Sequence, residues 1–167
     1  MHLEFRRATI PDEIPELRAF DRRVFPKADL FTKDEWMEYE SHWMTVEGAK
    51  VGCCAFERDV DFREDIRKDR RNPRRKGSLY ITTTGILPAF RGKGLGKMLK
   101  VWETAYAEFH GFNRIVTNSR MGNAAIIGLN ISLGYRIIRI TPRYYSGPTD
   151  ATVVMELKLN GASANLV

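Results

Sequence analysis

The chain has 167 residues, of which 43% are hydrophobic and 29% charged, which is ordinary for one globular domain with a substantial core. No apolar run reaches the roughly 18 residues of a membrane span, and no apolar segment follows the charged start as in a signal peptide. The net charge of +6 favours an acidic ligand or partner, without choosing among a nucleotide cofactor, nucleic acid and a membrane surface.

Hydrophobic periodicity and turn residues predict seven strands and four helices. The strands are expected at 2–8, 42–46, 50–56, 79–86, 113–117, 135–140 and 151–159. The helices are expected from Pro11 to the residue before Pro26, over 33–41 with Thr32 as N-cap, from Gly94 to His110, and over 123–133. This order predicts a single α/β domain with a mixed sheet over residues 1–160, followed by a flexible tail at 161–167.

Side-chain patterns along these elements give three further expectations. The helix after Gly94 should bury an apolar face and leave Glu103 in solvent. The aromatic residues between 31 and 43 fit either core packing or the wall of a substrate pocket. Cys53 and Cys54 are neighbours on a strand and point to opposite faces, so we expect reduced thiols and a cytoplasmic location. The predicted apolar face of the helix after Gly94 comprises Leu95, Met98, Leu99, Trp102, Tyr106 and Phe109.

Residues 57–77 differ in composition from the rest of the chain. They hold nine Lys or Arg and six Asp or Glu, with few apolar residues between them. This pattern predicts a charged surface insertion. Its basic residues could also form a patch for phosphate or nucleic acid, but the acidic residues dilute the charge, and the segment lacks the interleaving of aromatic residues expected for base stacking.

The stretch 79–99, LYITTTGILPAFRGKGLGKML, reads as a strand, a turn with a proline, three alternating glycines and the start of a helix. Glycines let the backbone approach a bulky ligand, and the first turn of a helix favours a phosphate-bearing anion. The spacing predicts a phosphate cradle. A P-loop is excluded because Met98 follows Gly96-Lys97, and a dinucleotide fingerprint is excluded because Lys97 stands at its third glycine position.

The motif Ile86-x-Pro88-x-x-Arg91-Gly92-x-Gly94-x-Gly96 resembles the acetyl-CoA loop of the GNAT superfamily of N-acetyltransferases. Downstream, the segment from Asn123 to Leu129 and the pair Gly134-Tyr135 look like that family's next helix and its end. The resemblance covers roughly residues 3 to 159. It implies a mixed, mostly antiparallel sheet of six or seven strands, flanked by about four helices, with splayed central strands.

The resemblance also implies roles for matching positions. Main-chain groups of the loop would bind the pyrophosphate of acetyl-CoA, and Ile86 would pair with the pantetheine arm. The N–H of Thr84 would polarise the acetyl carbonyl, where negative charge develops during attack by an amine. Asn123 would hydrogen-bond the arm. The cofactor-binding positions implied are Ile86, Leu87, Arg91, Gly92, Lys93, Gly94, Leu95, Gly96, Lys97 and Asn123.

Two positions depart from the family pattern. Many relatives place a tyrosine acid where this chain has Asn130, and some N-terminal acetyltransferases place a glutamate base where it has Asn118. Tyr80 and Tyr135 are candidate replacements for the acid or base. Asn118 and Asn130 are then expected to line the substrate. So are Tyr144 and Tyr145, since Arg143-Tyr144-Tyr145 resembles a loop at the peptide entrance of enzymes that acetylate protein N-termini.

The expected function is transfer of an acetyl group from acetyl-CoA to a primary amine, without a metal. The acceptor is either a small molecule or a peptide or protein N-terminus. Because relatives are often dimers, a homodimer is one expected arrangement, whereas a membrane partner is not expected. The loss of both ionisable residues keeps a second hypothesis open, a CoA-binding sensor or partner protein without strong catalysis. A nucleic-acid-binding module is the least favoured hypothesis.

Overall fold

A computed structural model of the chain describes residues 1–59, 77–142 and 151–160. Their strands are β1 (Leu3–Arg7), β2 (Glu40–Val46), β3 (Ala49–Arg58), β4 (Ser78–Ile86), β5 (Arg114–Arg120), β6 (Arg136–Thr141) and β7 (Thr152–Lys158). Their α-helices are α1 (Ile14–Val24), α2 (Lys33–Glu38), α3 (Leu95–Phe109) and α4 (Ala124–Ser132). Among these residues, the predicted order of seven strands and four α-helices is confirmed.

The strands form one sheet in the order β1-β2-β3-β4-β5-β7-β6. The pairs β1–β2, β2–β3, β5–β7 and β6–β7 are antiparallel, whereas β4 and β5 are parallel. The parallel ladder joins only the first part of β4 to β5, ending at Ile81 and Thr117. Both strands continue beyond that point, β4 to Ile86 and β5 to Arg120. The sheet is therefore mixed and mostly antiparallel, as predicted.

The chain groups into two compact units, and both β4 and α3 contribute residues to each. The first unit comprises Met1–Glu57 and Thr82–Lys100, and the second comprises Arg58–Ile81 and Val101–Val167. The prediction of one domain over 1–160 stays a prediction.

The core of the first unit is rich in aromatic side chains. Trp36 and Trp43 are almost fully buried, and Phe20 meets Trp43 edge-to-face with 5.6 Å between ring centroids. Phe31 makes the same kind of contact with Trp36 and Tyr39. Such pairs contribute about 1 kcal/mol each beyond the area they bury. Of the two interpretations of this aromatic segment, core packing is the one that the burial supports.

An ion cluster joins β1, the start of α1 and β3 within the first unit. Arg6 donates two hydrogen bonds to the carboxylate of Glu13, at 2.7 and 2.9 Å, and Lys50 Nζ lies 2.6 Å from Glu13 Oε1. Lys50 also contacts Glu16. The hydrogen bond from Arg6 is the main reason that the pKa of Glu13 lies well below its ordinary value.

A second ion cluster holds strands of the second unit together. Arg114 donates to Ser78 Oγ at 2.6 Å and to Glu156 Oε1 at 3.1 Å, and Arg136 donates to Glu156 Oε2 at 3.1 Å. Burial alone would raise the pKa of Glu156. The hydrogen bonds from Arg136 and Arg114 outweigh that effect and lower it. The carboxylate is therefore an ionised link among β5, β6 and β7.

The predicted extent of α2, residues 33–41, is wrong at its end. Thr32 is the N-cap as expected, in a reciprocal capping box with Glu35, but the helix stops at Glu38. Ser41 instead belongs to β2, where it pairs with Ala55 and its carbonyl accepts the N–H of Ala8 at 2.8 Å. Strand pairing on both sides of β2 outweighs the helical tendency of these residues.

The predicted buried face of α3 is also partly wrong. Met98 is 40% exposed and Phe109 is 87% exposed, whereas Glu103 is fully buried rather than in solvent. The buried stripe follows an i, i+4 row through Leu99, Glu103 and Ala107. Because one residue of this buried row is a glutamate, a pattern based on hydrophobic residues alone does not recognise the row.

Several predicted features fall outside the described residues. They are the part of the charged insertion from 60 to 76, the segment containing Tyr144 and Tyr145, and the tail at 161–167. The flanks of the insertion are described. β3 continues through Glu57 and Arg58, so the first two residues of the predicted insertion belong to a strand. Gly77 N–H donates to Asp59 Oδ1 at 2.9 Å, which brings the two ends of the segment together.

Candidate active site

The connection between β4 and α3 has a backbone shape that requires glycine. After a single 3₁₀ turn at Pro88–Phe90, Gly92 and Gly94 adopt φ angles of +75° and +77°. An L-residue pays about 1–2 kcal/mol in this region. A Cβ on either glycine would meet no atom of residues 1–59, 77–142 or 151–160 within 4 Å. Conformation, not crowding by these residues, therefore requires glycine here, and they leave the space above the loop open.

The same loop delivers the chain to the start of a helix. The N–H of Met98 donates to Gly94 O at 3.1 Å and closes the first turn of α3. The N–H groups of Leu95, Gly96 and Lys97 have no acceptor within the helix, and the helix dipole adds partial positive charge at this end. This arrangement can bind an anion through the main chain.

Arg91 has a structural role that its position in the motif does not reveal. Its Nε donates to Ile86 O at 3.1 Å, and its Nη2 donates to Val24 O at 3.4 Å. The guanidinium therefore ties the loop to the end of β4 and to the end of α1. Lys93 is exposed, with its Nζ 5.3 Å from the centre of the Phe90 ring. Lys97 is exposed as well, and so is Arg91 itself.

The last residues of β4 are held by β3. Leu87 N–H donates to Val51 O at 2.9 Å, and Thr82 Oγ1 donates to Ala55 O at 3.0 Å. The N–H of Leu87 is thus occupied, so a ligand at this position would meet its carbonyl or side chain. Thr84 is half-buried on the same strand.

In the second unit, a hydrogen-bond chain runs across three strands. Tyr80 on β4 donates its hydroxyl proton to Asn118 Oδ1 on β5. Asn118 Nδ2 donates to Thr152 Oγ1 on β7 at 3.2 Å, and that hydroxyl donates to Ser119 O at 3.2 Å. Two predicted site residues are therefore brought together. Sequence reasoning missed Thr152, because a single threonine in an alternating strand carries no signal of its own.

The two asparagines associated with α4 have different surroundings. Asn123 caps the helix, since its side-chain oxygen accepts a hydrogen bond from the N–H of Ile126 at 3.3 Å. Asn123 is exposed. Its amide N–H₂ remains a donor group at the surface. Asn130 is 0% exposed, and its Nδ2 lies 3.9 Å from Met155 Sδ. The predicted role of Asn130 in lining the substrate stays a prediction.

Tyr135 occupies an environment unlike that of Tyr80. It is 3% exposed, and burial, together with the charge of Glu103, raises the pKa of its phenol well above the ordinary value. A phenol in this state stays neutral and neither gives up nor takes a proton readily. Tyr80 is also buried, at 8% exposed, and it differs from Tyr135 in its hydrogen bond to Asn118, another predicted site residue.

Neither a metal site nor a membrane helix is found in the described part of the chain. No group of three or more His, Cys, Asp or Glu residues there could hold a metal ion. No helix over residues 1–59, 77–142 and 151–160 is long and apolar enough to cross a membrane.

Comparison with known proteins agrees with this fold. The model of the acetyltransferase (GNAT) family matches residues 11–135, which is most of the chain. An uncharacterized N-acetyltransferase of Methanocaldococcus jannaschii is 29% identical over 85 residues. That match covers 50% of this chain and 54% of the relative, so it spans about half of the relative's length.

Solved structures share the fold over nearly the whole chain. The ribosomal-protein-S18-alanine N-acetyltransferase of Escherichia coli has a TM-score of 0.77 at 18% identity, covering 99% of both chains. A putative acetyltransferase of Salmonella typhimurium, solved with its cofactor acetyl-CoA, has a TM-score of 0.72 at 20% identity, covering 99% of this chain and 98% of its own. At these identities the likeness shows the fold.

The chain belongs to the GNAT family of acetyltransferases. The predicted family and fold class are thereby confirmed. The family uses acetyl-CoA. Membership of this family confirms the predicted enzyme class, an acetyltransferase.

Proposed function

We propose that this chain transfers the acetyl group of acetyl-CoA to a primary amine, by direct attack while both substrates are bound. The observation that carries the proposal is the loop from Arg91 to Lys97. Two residues with positive φ, an open surface above them and three main-chain N–H groups with no acceptor within α3 fit a pyrophosphate. Exposed Lys93 and Lys97 add positive charge at the same place.

Each cofactor-binding residue is proposed for a role that its contacts allow. Leu95, Gly96 and Lys97 offer main-chain N–H groups, while Gly92 and Gly94 keep the loop clear of side chains. Arg91 holds the loop in shape, and the carbonyls of Ile86 and Leu87 remain acceptors because a carbonyl has two lone pairs. Asn123 offers its amide N–H₂ to the pantetheine arm, as the family resemblance implies.

The chemistry needs an electrophilic contact and a neutral, oriented amine. We assign the first to the N–H of Thr84, aimed at the acetyl carbonyl, where one such donor contributes about 3 kcal/mol to transition-state stabilisation. Tyr80, Asn118 and Asn130 are proposed to face the amine. No ionisable side chain stands at 118 or 130, so proton loss to water after attack is the simplest route.

Binding of acetyl-CoA is tested with a matched pair of variants. Gly94→Ala adds one methyl group at a φ of +77° in the loop, and Gly111→Ala adds one at the same φ after the end of α3, with nothing within 4 Å in either case. Both should cost about 1 kcal/mol of folding free energy. By calorimetry, Gly94→Ala should weaken acetyl-CoA binding at least tenfold, and Gly111→Ala should not change it.

Equal affinities of these two variants, or no binding by the wild type, would reject the proposed loop. Turnover is measured separately, as release of free CoA thiol with a panel of amines. The panel contains peptides that begin with Ala, Ser or Met and small primary amines, so it distinguishes the two acceptor classes left open.

The second candidate function is a CoA-binding sensor or partner protein. Its specific support is that the amide of Asn118 stands where some relatives have a base, and is bonded on both of its ends. Tight binding of acetyl-CoA without turnover of any amine in the panel would favour this function. A homodimer remains a proposal, tested by the mass of the protein in solution.

A further inference from the structure

The chain of hydrogen bonds through Tyr80, Asn118, Thr152 and Ser119 has a defined direction. It ends on the carbonyl of Ser119, and a carbonyl can only accept. The Thr152 hydroxyl, 3.2 Å away, must therefore donate its single proton to that oxygen. Thr152 Oγ1 is then an acceptor for its other neighbour, Asn118 Nδ2, also at 3.2 Å.

This direction fixes the amide of Asn118 and, through it, the phenol of Tyr80. With its N–H₂ turned to Thr152, the amide presents Oδ1 to Tyr80, so the Tyr80 hydroxyl must donate. A flipped amide would turn the Thr152 hydroxyl toward the amide oxygen and lose its bond to Ser119. Thr152 is fully buried, so water does not readily replace that bond.

A tyrosine has one hydroxyl proton, and in Tyr80 that proton is committed to Asn118. Any further hydrogen bond at Tyr80 Oη must come from a donor. We infer that Tyr80 Oη accepts a hydrogen bond from the N–H of the attacking amine, and that Asn118 and Thr152 are positioning residues that hold it in that role. This inference rests on the proposed acetyl transfer.

The assignment distinguishes two roles that the phenol could take. A tyrosine acting as the acid for the departing thiolate directs its proton toward the sulfur. Tyr80 directs its proton away, into the sheet. Holding one N–H of a neutral amine fixes the direction of its lone pair, which is an orientation effect and needs no proton transfer by Tyr80.

The kinetic test uses the amine of the panel with the highest turnover, with acetyl-CoA as donor. Thr152→Val keeps the shape of the side chain and removes the hydroxyl, which frees the amide to rotate. We expect the KM for the amine to rise about tenfold, with the KM for acetyl-CoA unchanged within about twofold. Tyr80→Phe should act in the same direction, and Thr152→Ser should restore the wild-type KM.

Thr45→Val, in β2 of the first unit, is the control for replacing a buried threonine, and should leave both KM values unchanged. An unchanged amine KM in Thr152→Val and Tyr80→Phe, or a fall in kcat alone, would overturn the inference. Absence of turnover with every amine would reject the proposed function itself, and the amine contact with it.

A measurement without turnover tests the positioning directly. In the nitrogen-15 NMR spectrum of the full chain, one side-chain proton of Asn118 should be protected from solvent exchange by its bond to Thr152. Thr152→Val should remove that protection, and Thr152→Ser should retain it. Equal exchange in the wild type and Thr152→Val would show that these hydrogen bonds do not fix the side-chain amide of Asn118. That result would overturn the inference even if the enzyme is active.

Discussion

Asp21 is a buried carboxyl group on α1 that responds to pH within the working range of many proteins. It is 2% exposed, and its Oδ2 accepts the N–H of Phe31 at 2.9 Å. Burial is the main cause that raises the pKa of Asp21 to about 6, although the Phe31 hydrogen bond opposes it. The residue therefore anchors the segment after α1 at the cost of keeping a charge out of water.

The sign of its effect on stability follows from this raised pKa. The folded state binds the Asp21 proton more tightly than the unfolded state, where the pKa is about 3.9. Its contribution is fully present below about pH 4 and is lost as the pH rises through about 6. From pH 5 to pH 8 the loss is about 1 kcal/mol.

We expect Asp21→Asn to remove this part of the pH dependence. An amide oxygen can still accept the N–H of Phe31, so the fold should survive. The measurement is the free energy of unfolding in urea at pH 5 and pH 8. The wild type should lose about 1 kcal/mol more than the variant over that range. Asp12→Asn, at an exposed position near the start of α1, is the control, and a wild-type slope in Asp21→Asn would contradict the prediction.

Among single residues of the site, hydrogen-bond partners separate two candidates that the sequence treats alike, since Tyr80 and Tyr135 are both buried. Tyr80 and Tyr135 are both tyrosines near predicted strand positions, yet only Tyr80 is tied to Asn118. Tyr135 lies in a setting that holds its phenol neutral. We therefore propose Tyr80, rather than Tyr135, for contact with the amine.

At the scale of elements, the packing of α1 on β4 depends on a glycine outside the loop motif. A Cβ at Gly85 would lie 2.8 Å from Val24 Cγ1 and 3.3 Å from Phe25 Cε2. The end of α1 therefore approaches the backbone of β4 as closely as glycine allows. This contact sets the position of the strand just before Ile86.

Gly85→Ala should destabilise the protein by about 1–3 kcal/mol, because the helix or the strand must shift. The double variant Gly85→Ala with Val24→Ala removes the closest atom, so its cost should be smaller than the sum of the single variants. A double-mutant cycle by urea unfolding measures this coupling. Strict additivity of the two changes would show that the Val24 contact does not limit the packing.

In the loop between β4 and α3, the main chain and the Arg91 side chain have different roles. The guanidinium of Arg91 donates to the carbonyls of Ile86 and Val24, so it holds the loop in shape although the residue is exposed. The helix N-terminus then offers main-chain N–H groups as the anion-binding part. The arginine of this motif thus has a structural role, which is to hold the loop in shape.

For the whole molecule, carboxyl groups in the two units affect acid stability in the direction opposite to Asp21. The pKa values of Glu13 and Glu156 are lowered in the fold. Their contributions are present above the ordinary glutamate pKa of about 4.3 and are lost as the pH falls through the lowered values. The stabilising contribution of Asp21 is lost as the pH rises through about 6. We therefore expect maximal stability between about pH 4 and 6.

Glu156→Gln tests the acid side of this profile. It leaves buried Arg114 without its carboxylate, so we expect a loss on the order of 3 kcal/mol at pH 7. The loss should shrink as the pH falls below about 4, where Glu156 is protonated first in the unfolded wild type and, at lower pH, in the folded state as well. Glu4→Gln, which removes only an exposed pair with His2, should cost less than about 0.5 kcal/mol. A pH-independent loss in Glu156→Gln would contradict this account.

Sequence by itself determined the elements, their order and the loop. Alternating and helical periodicity reports local burial, and Gly92 and Gly94 report a local backbone conformation, so each can be recognised from neighbouring residues. The boundary of α2 and the buried face of α3 were missed. Pairing of Ser41 with Ala55 and burial of Glu103 depend on residues distant in the chain.

The tertiary structure alone decided which polar groups act together. Thr152 reaches Asn118 because β5 and β7 are neighbours in the sheet, although they are far apart in sequence. The same pairing gave Tyr80 a direction for its proton, and packing removed Tyr135 from contact with water. Hydrogen-bond direction and burial are properties of neighbours in space, and no spacing along the chain records them.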